Sequence, residues 1–192
     1  IYLWNAEGKL PRDLYLSSTE RADGKIILRV SDLPPAPARI EKENKLDYGL
    51  TVRDDFVKSR ENALGNFEWS PDSKKLLFSH SGDLYVLTLG NTTPKRYTKT
   101  QSAEFGARFI DNDRIIYSQS GNLFVLNIAD ATTVQLTKEA NPAQFISVSG
   151  GVVSKDGKML AYTVSDSSKF KALFVPNYLG EFTEAPTTRR GW

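Results

Sequence analysis

Lys74-Lys75-Leu76-Leu77-Phe78 returns as Asp113-Arg114-Ile115-Ile116-Tyr117. Asp83-Leu84-Tyr85-Val86-Leu87 returns as Asn122-Leu123-Phe124-Val125-Leu126, and Tyr97-Thr98 as Leu136-Thr137. All three matches share an offset of 39 residues, which isolated coincidences would not. A self-similar unit of roughly 40–45 residues, made of short strands and tight turns, is the sequence pattern of a β-propeller blade. The fold expected is therefore all-β: an incomplete propeller of antiparallel four-stranded blades.

Working outward, Arg114–Ser118 reads as a strand, Gln119–Asn122 as a turn and Leu123–Ile128 as the returning strand, with Gly121 supplying the positive φ of a short hairpin. These strands are apolar at nearly every position, the pattern of strands covered on both faces. Leu76–Phe78, Ser81-Gly82 and Leu84–Leu87 repeat the arrangement. A third unit runs through Ser154-Lys155-Asp156-Gly157-Lys158-Met159-Leu160-Ala161-Tyr162, which echoes Ser70–Phe78. Its pitch stretches to 45 residues, from Tyr117 to Tyr162, which places an insertion near Asn141–Ser149. In the Ser-x-Asp turn, both side chains can bond backbone two residues on.

A fainter N-terminal unit is read in Ile1–Trp4, Leu14–Leu16 and Ile26–Val30, with a turn at Ala22-Asp23-Gly24. The expected division is a partial blade at 1–31, then a linker with a short helix at 32–66, where Val52, Phe56 and Ala63 have helical spacing. Blades follow at 67–98 and 105–137, a blade with an insertion at 138–178, and a connector at 179–192.

The 192 residues suffice for a substantial core. Twenty-five basic and 23 acidic residues leave a net charge of +2, so the balance gives no electrostatic case for nucleic acid. The absence of cysteine excludes disulfides, thiolate metal sites and thiol nucleophiles. No apolar run approaches the ~20 residues of a membrane-spanning helix. The chain starts at Ile1 without a recognisable signal peptide and reads as a segment of something longer.

The sequence offers little chemistry. No serine sits in a Gly-x-Ser-x-Gly setting. The single histidine, His80, lies at a strand end and reads as a turn residue. The acid pairs Asp54-Asp55 and Asp111/Asp113 read as turn chemistry rather than metal ligands; Asp111-Asn112-Asp113 opens like a calcium loop, but its Gly and distal Glu do not follow. Lys95-Arg96-Tyr97-Thr98-Lys99 reads as a solvated connection between units. No cofactor or metal site is expected. Arg189-Arg190-Gly191-Trp192 remains, where two guanidinium groups beside an indole could clamp a carboxylate or a partner surface.

Trp69-Ser70-Pro71-Asp72, the Gly82–Val86 hairpin and Leu136-Thr137 resemble bacterial propellers of the Tol-associated type. Their order narrows the resemblance. Arg53–Asn62 precedes Phe67-Glu68-Trp69-Ser70-Pro71-Asp72, and Phe174–Tyr178 precedes Pro186–Trp192. Together these resemble the N-terminal propeller region of bacterial serine peptidases of the dipeptidyl peptidase IV type, in the prolyl oligopeptidase clan. The resemblance implies a periplasmic or secreted enzyme whose propeller gates peptide substrates for a C-terminal α/β-hydrolase domain bearing a Ser-Asp-His triad. It also implies a Glu pair that binds the peptide's α-amine. No Glu-Glu occurs in this chain, and Glu139 stands alone near the stretched repeat.

The sequence reading is thus a non-catalytic front end of a serine exopeptidase, itself inactive, and prone to self-association through an incompletely covered end. A free-standing propeller that binds a protein partner is the alternative.

Overall fold

The computed structural model describes residues 2–4, 12–20, 23–34, 63–169, 173–175 and 188–190. Their regular structure is antiparallel β-sheet, with single 3-10 turns at Val30–Asp32 and Pro142–Gln144 and no α-helix. Strands β1 (Tyr2–Trp4), β2 (Asp13–Leu16) and β3 (Lys25–Leu28) make a three-stranded sheet. Strands β4 (Leu64–Trp69), β5 (Lys75–His80), β6 (Asp83–Thr88) and β7 (Lys95–Arg96) form a four-stranded meander in chain order. So do β8 (Glu104–Phe109), β9 (Arg114–Gln119), β10 (Asn122–Asn127) and β11 (Thr132–Gln135). Strands β12 (Ile146–Val153) and β13 (Leu160–Asp166) pair by themselves, as do β14 (Leu173–Val175) and β15 (Thr188–Arg190). Among the described residues these sheets close into neither a barrel nor a propeller.

The two meanders are the 39-residue repeat made physical. At the β5–β6 hairpin both Ser81 and Gly82 have positive φ, 52° and 80°; at the β9–β10 hairpin Ser120 and Gly121 have 49° and 80°. Positive φ at both central residues is the two-residue turn whose twist matches its strands. Beyond each hairpin a buried threonine closes the sheet: Leu84 N donates to Thr98 Oγ1 and Leu123 N to Thr137 Oγ1, both at 2.8 Å.

The Ser-x-Asp turns also match. Ser70 Oγ donates to Asp72 Oδ1 and accepts from Lys75 N; Ser154 Oγ donates to Asp156 Oδ1 and accepts from Met159 N. The middle unit closes its turn in one residue fewer, with Ile110 N donating to Arg114 O and Asp111 Oδ1 taking both Asp113 N and Arg114 N. That is the turn role expected of Asp111.

One repeated feature escaped the sequence reading. Each first strand carries a bulge, between Gly65 and Glu68, Phe105 and Arg108, and Ser149 and Val152. Its positive-φ residue is Asn66, Gly106 or Gly150. A bulge strengthens local twist and re-aims the strand.

Alternation along β5 and β6 sends side chains to opposite faces, and both faces are covered. Leu76, Phe78, Tyr85 and Leu87 pack on Leu14, Leu28, Val30 and Leu33. Leu77, Leu84 and Val86 pack on Ala107, Ile115, Tyr117, Leu126 and Ile128 of the next meander. Fully burying each such aliphatic chain contributes about 1.5–3 kcal/mol. Strand β6 is accordingly buried from Asp83 to Leu87, as its continuous apolar run predicts. In β10, Phe124 and Val125 are only half-buried, because less of the protein lies over them.

Several expected boundaries differ. Leu64–Asn66, assigned to the linker, already belong to β4, and Lys95–Arg96 are strand β7 rather than a loop. His80, read as a turn residue at a strand end, is the last residue of β5 beside the hairpin and is buried, 2% exposed. Within 138–178 the described residues hold β12 and β13, paired with each other, and β14, paired with β15; residues 170–172 and 176–178 lie outside the described residues. Thr188–Arg190, assigned to a connector, are β15. The expected helix near Val52 and Phe56, and Asp54-Asp55, lie outside the described residues.

Candidate functional site

The most heavily built polar cluster joins the two meanders. Strand β8 starts where Glu104 N donates to Gly82 O at 2.9 Å, and this places the Glu104 carboxylate, 3% exposed, beneath the first hairpin. Its Oε2 accepts from Thr98 Oγ1 at 2.8 Å, and its Oε1 from Thr100 Oγ1 at 2.5 Å and Gln119 Nε2 at 2.8 Å. Alongside, Asp83 is buried, takes Arg96 Nη2 at 2.5 Å and accepts from Thr100 N at 3.3 Å. Burial pushes the Glu104 carboxyl above the usual range; the threonine hydroxyls oppose that shift and the Asp83 charge adds to it. A buried carboxylate persists only where donors replace its lost water, and three do so here.

The second junction repeats this geometry without charge. Val148 N donates to Gly121 O at 3.1 Å, so buried Val148 stands where Glu104 does. Asn122 replaces Asp83, accepting from Thr137 Oγ1 and Ala140 N, and Gln135 replaces Arg96, donating to Thr137 O as Arg96 donates to Thr98 O. The charged version is thus particular to the first junction and serves as a joint between sheets.

On the outer rim of the first junction, Lys75 Nζ donates to Asp113 Oδ1 and Asn112 O, both at 2.8 Å, and Tyr97 Oη donates to Ile128 O at 3.0 Å. A partly exposed pair of this kind contributes about 0–1 kcal/mol.

Beyond the second meander an apolar groove of about 400 Å³ runs between β10–β11 and β12–β13, with Val125, Val134, Leu136, Val153, Met159 and Leu160 on its walls. Met159 is 70% and Val134 58% exposed. Arg114 stands at its end, held by Asp111 Oδ2 at 2.7 Å.

Of the residues singled out from sequence, Glu139 lies exposed between β11 and β12, where Oε1 accepts from Tyr162 Oη at 2.9 Å and Oε2 from Lys138 N at 2.7 Å. The tyrosine hydroxyl holds its carboxyl below the usual range. Arg189 and Arg190 fall on β15, paired with Phe174 and Leu173 of β14. Trp192 lies outside the described residues, and nothing described joins Glu139 to the arginines. His80 stacks edge-on against Tyr85, with Nε2 3.2 Å from Pro34 O. Sequence reasoning missed Glu104, whose equivalents by strand register, Leu64 and Val148, are also buried. Among the described residues no cluster of three or more His, Cys, Asp or Glu could hold a metal ion, and no helix is long and apolar enough to cross a membrane.

No family model and no curated protein matches the chain. Among solved structures it is similar to a 6-phosphogluconolactonase candidate from Bacteroides uniformis, at 16% identity and a TM-score of 0.39 over 70% of this chain. The chain spans 42% of that protein's length.

Proposed function

We propose that this chain is a propeller segment, the non-catalytic N-terminal part of a periplasmic or secreted serine exopeptidase of dipeptidyl peptidase IV type. In this reading it gates and orients peptides for a C-terminal α/β-hydrolase domain. The observation that carries the propeller part is the repetition of one meander with the same hairpin, buried threonine and first-strand bulge, each sheet packed face to face on the next. The peptidase part rests on the order of the motifs at 53–72 and 174–192. Stacked sheets suit a gating role because they make a stiff wall, while catalysis needs groups placed elsewhere.

The test is the intact natural polypeptide that carries this chain. It should hold a Gly-x-Ser-x-Gly, then Asp and His, C-terminal to Trp192. It should also release N-terminal dipeptides from a chromogenic prolyl substrate, with loss of turnover after a serine-directed inhibitor. An intact polypeptide without those motifs or that turnover overturns the peptidase reading and leaves a free-standing binding propeller.

A further inference from the structure

The repeat stops short at β13. The two meanders run to four strands, whereas among the described residues β12 pairs with β13 alone and no strand pairs with the outer edge of β13. Such an edge presents N–H and C=O groups that recruit another strand. The groove walled by Val134, Leu136 and Met159 lies open beside it. Between the first and second meanders the corresponding space is filled by the third strand, through Phe124, Leu126 and the following Ile128.

The chain carries the two strands that are missing. Leu173-Phe174-Val175 repeats Leu123-Phe124-Val125 and Leu84-Tyr85-Val86. The pairing of β14 with β15 also repeats. Phe174↔Arg189 and Val175↔Thr188 match Phe124↔Gln135 and Val125↔Val134, and before them Tyr85↔Arg96 and Val86↔Lys95. A two-stranded sheet by itself is marginal in water, so this pair gains by docking.

We propose that β14 and β15 dock as a unit along the open edge of β13, completing a third meander in the order β12-β13-β14-β15 and covering the groove. The register follows β9–β10, where Tyr117 faces Phe124 and Ile116 faces Val125. Tyr162 then lies opposite Phe174 and Ala161 opposite Val175. This inference rests on the repeat and is independent of the peptidase reading.

Because the chain has no cysteine, a designed pair reports only on itself. Cross-strand partners bring Cα atoms to about 4.5–5.5 Å, within disulfide reach. Oxidised Ala161→Cys/Val175→Cys should form an intrachain disulfide, and the out-of-register pair Ala161→Cys/Leu173→Cys should form it more slowly by about tenfold or more. In the unmodified chain the amide of Tyr162 faces away from β12, since Met159 bonds Ser154 through both its N–H and C=O and direction alternates along a strand. Its hydrogen exchange should be slowed to within about tenfold of that of Ala161 and Thr163, whose amides face β12. No crosslink, equal crosslinking of both variants, an interchain disulfide, or open-edge exchange at Tyr162 would each overturn the docking. The interchain product would place a second copy on the edge instead.

Discussion

Thr98→Val removes one hydroxyl and strands two buried partners. Thr98 Oγ1 accepts from Leu84 N and donates to Glu104 Oε2, both at 2.8 Å, in a site 6% exposed. An unsatisfied buried backbone donor costs about 1–3 kcal/mol, and a lost bond to a charged group about 1.5–3. Because valine keeps the shape, the expected loss is about 3 kcal/mol. Thr137→Val is the internal control, since it strands Leu123 N and a neutral Asn122 Oδ1 and should cost about 1–2 kcal/mol. Urea unfolding followed by tryptophan fluorescence reads the difference. With a slope of about 2 kcal/mol per molar, Thr98→Val should lower the midpoint by about 1.5 M. Glu104→Val, which installs the residue that the next unit carries at Val148, removes the stranded carboxylate. The double variant Thr98→Val/Glu104→Val should therefore fall short of the sum of the singles by about 1 kcal/mol or more. A Thr98→Val midpoint at the unmodified value, or strict additivity, would refute the joint.

The Glu104 joint also fixes a pH dependence. Burial, against the pull of Thr100 and Thr98, raises its native pKa above the unfolded value, so its stabilising contribution is complete below the unfolded pKa and lost as pH rises through the native one. The stability of the unmodified chain relative to Glu104→Gln should then fall as pH rises above about 4, and a flat difference in urea midpoints would contradict this. At the second junction, a Cβ on buried Gly151 would lie 2.6 Å from Leu123 Cδ1 and 3.4 Å from Ile116 Cδ1. Gly151→Val should destabilise the chain by about 1–3 kcal/mol in the same assay, and a neutral result would mean that β12 does not pack on β9 and β10 as described.

Much of the repeat was legible because the features that carry it are local. A Ser-Gly pair turns a hairpin wherever it stands, a Ser-x-Asp turn bonds its own backbone, and a run such as Leu84–Leu87 is insoluble unless both faces are covered. The bulges were not legible. Asn66, Gly106 and Gly150 share only a positive φ, which asparagine and glycine reach from many sequences. The candidate residues fared similarly. Glu139 was chosen for its charge near a stretched repeat, and its described side-chain partner is Tyr162, 23 residues away. Glu104 attracted no notice because an isolated glutamate reads as surface, and only its position under the hairpin buries it.

The sequence by itself determined the central hairpin strands of each meander and the turns between them, since these depend on neighbours a few residues apart. Tertiary structure decided which faces meet, which of the two equivalent junctions holds charge, and where cover is incomplete. The physical reason is that burial is a property of pairs of sheets. Leu77 and Ile115 are core only because one sheet lies against the next, while Val134 and Met159, as apolar in sequence, face solvent where the described β12–β13 sheet stops at two strands.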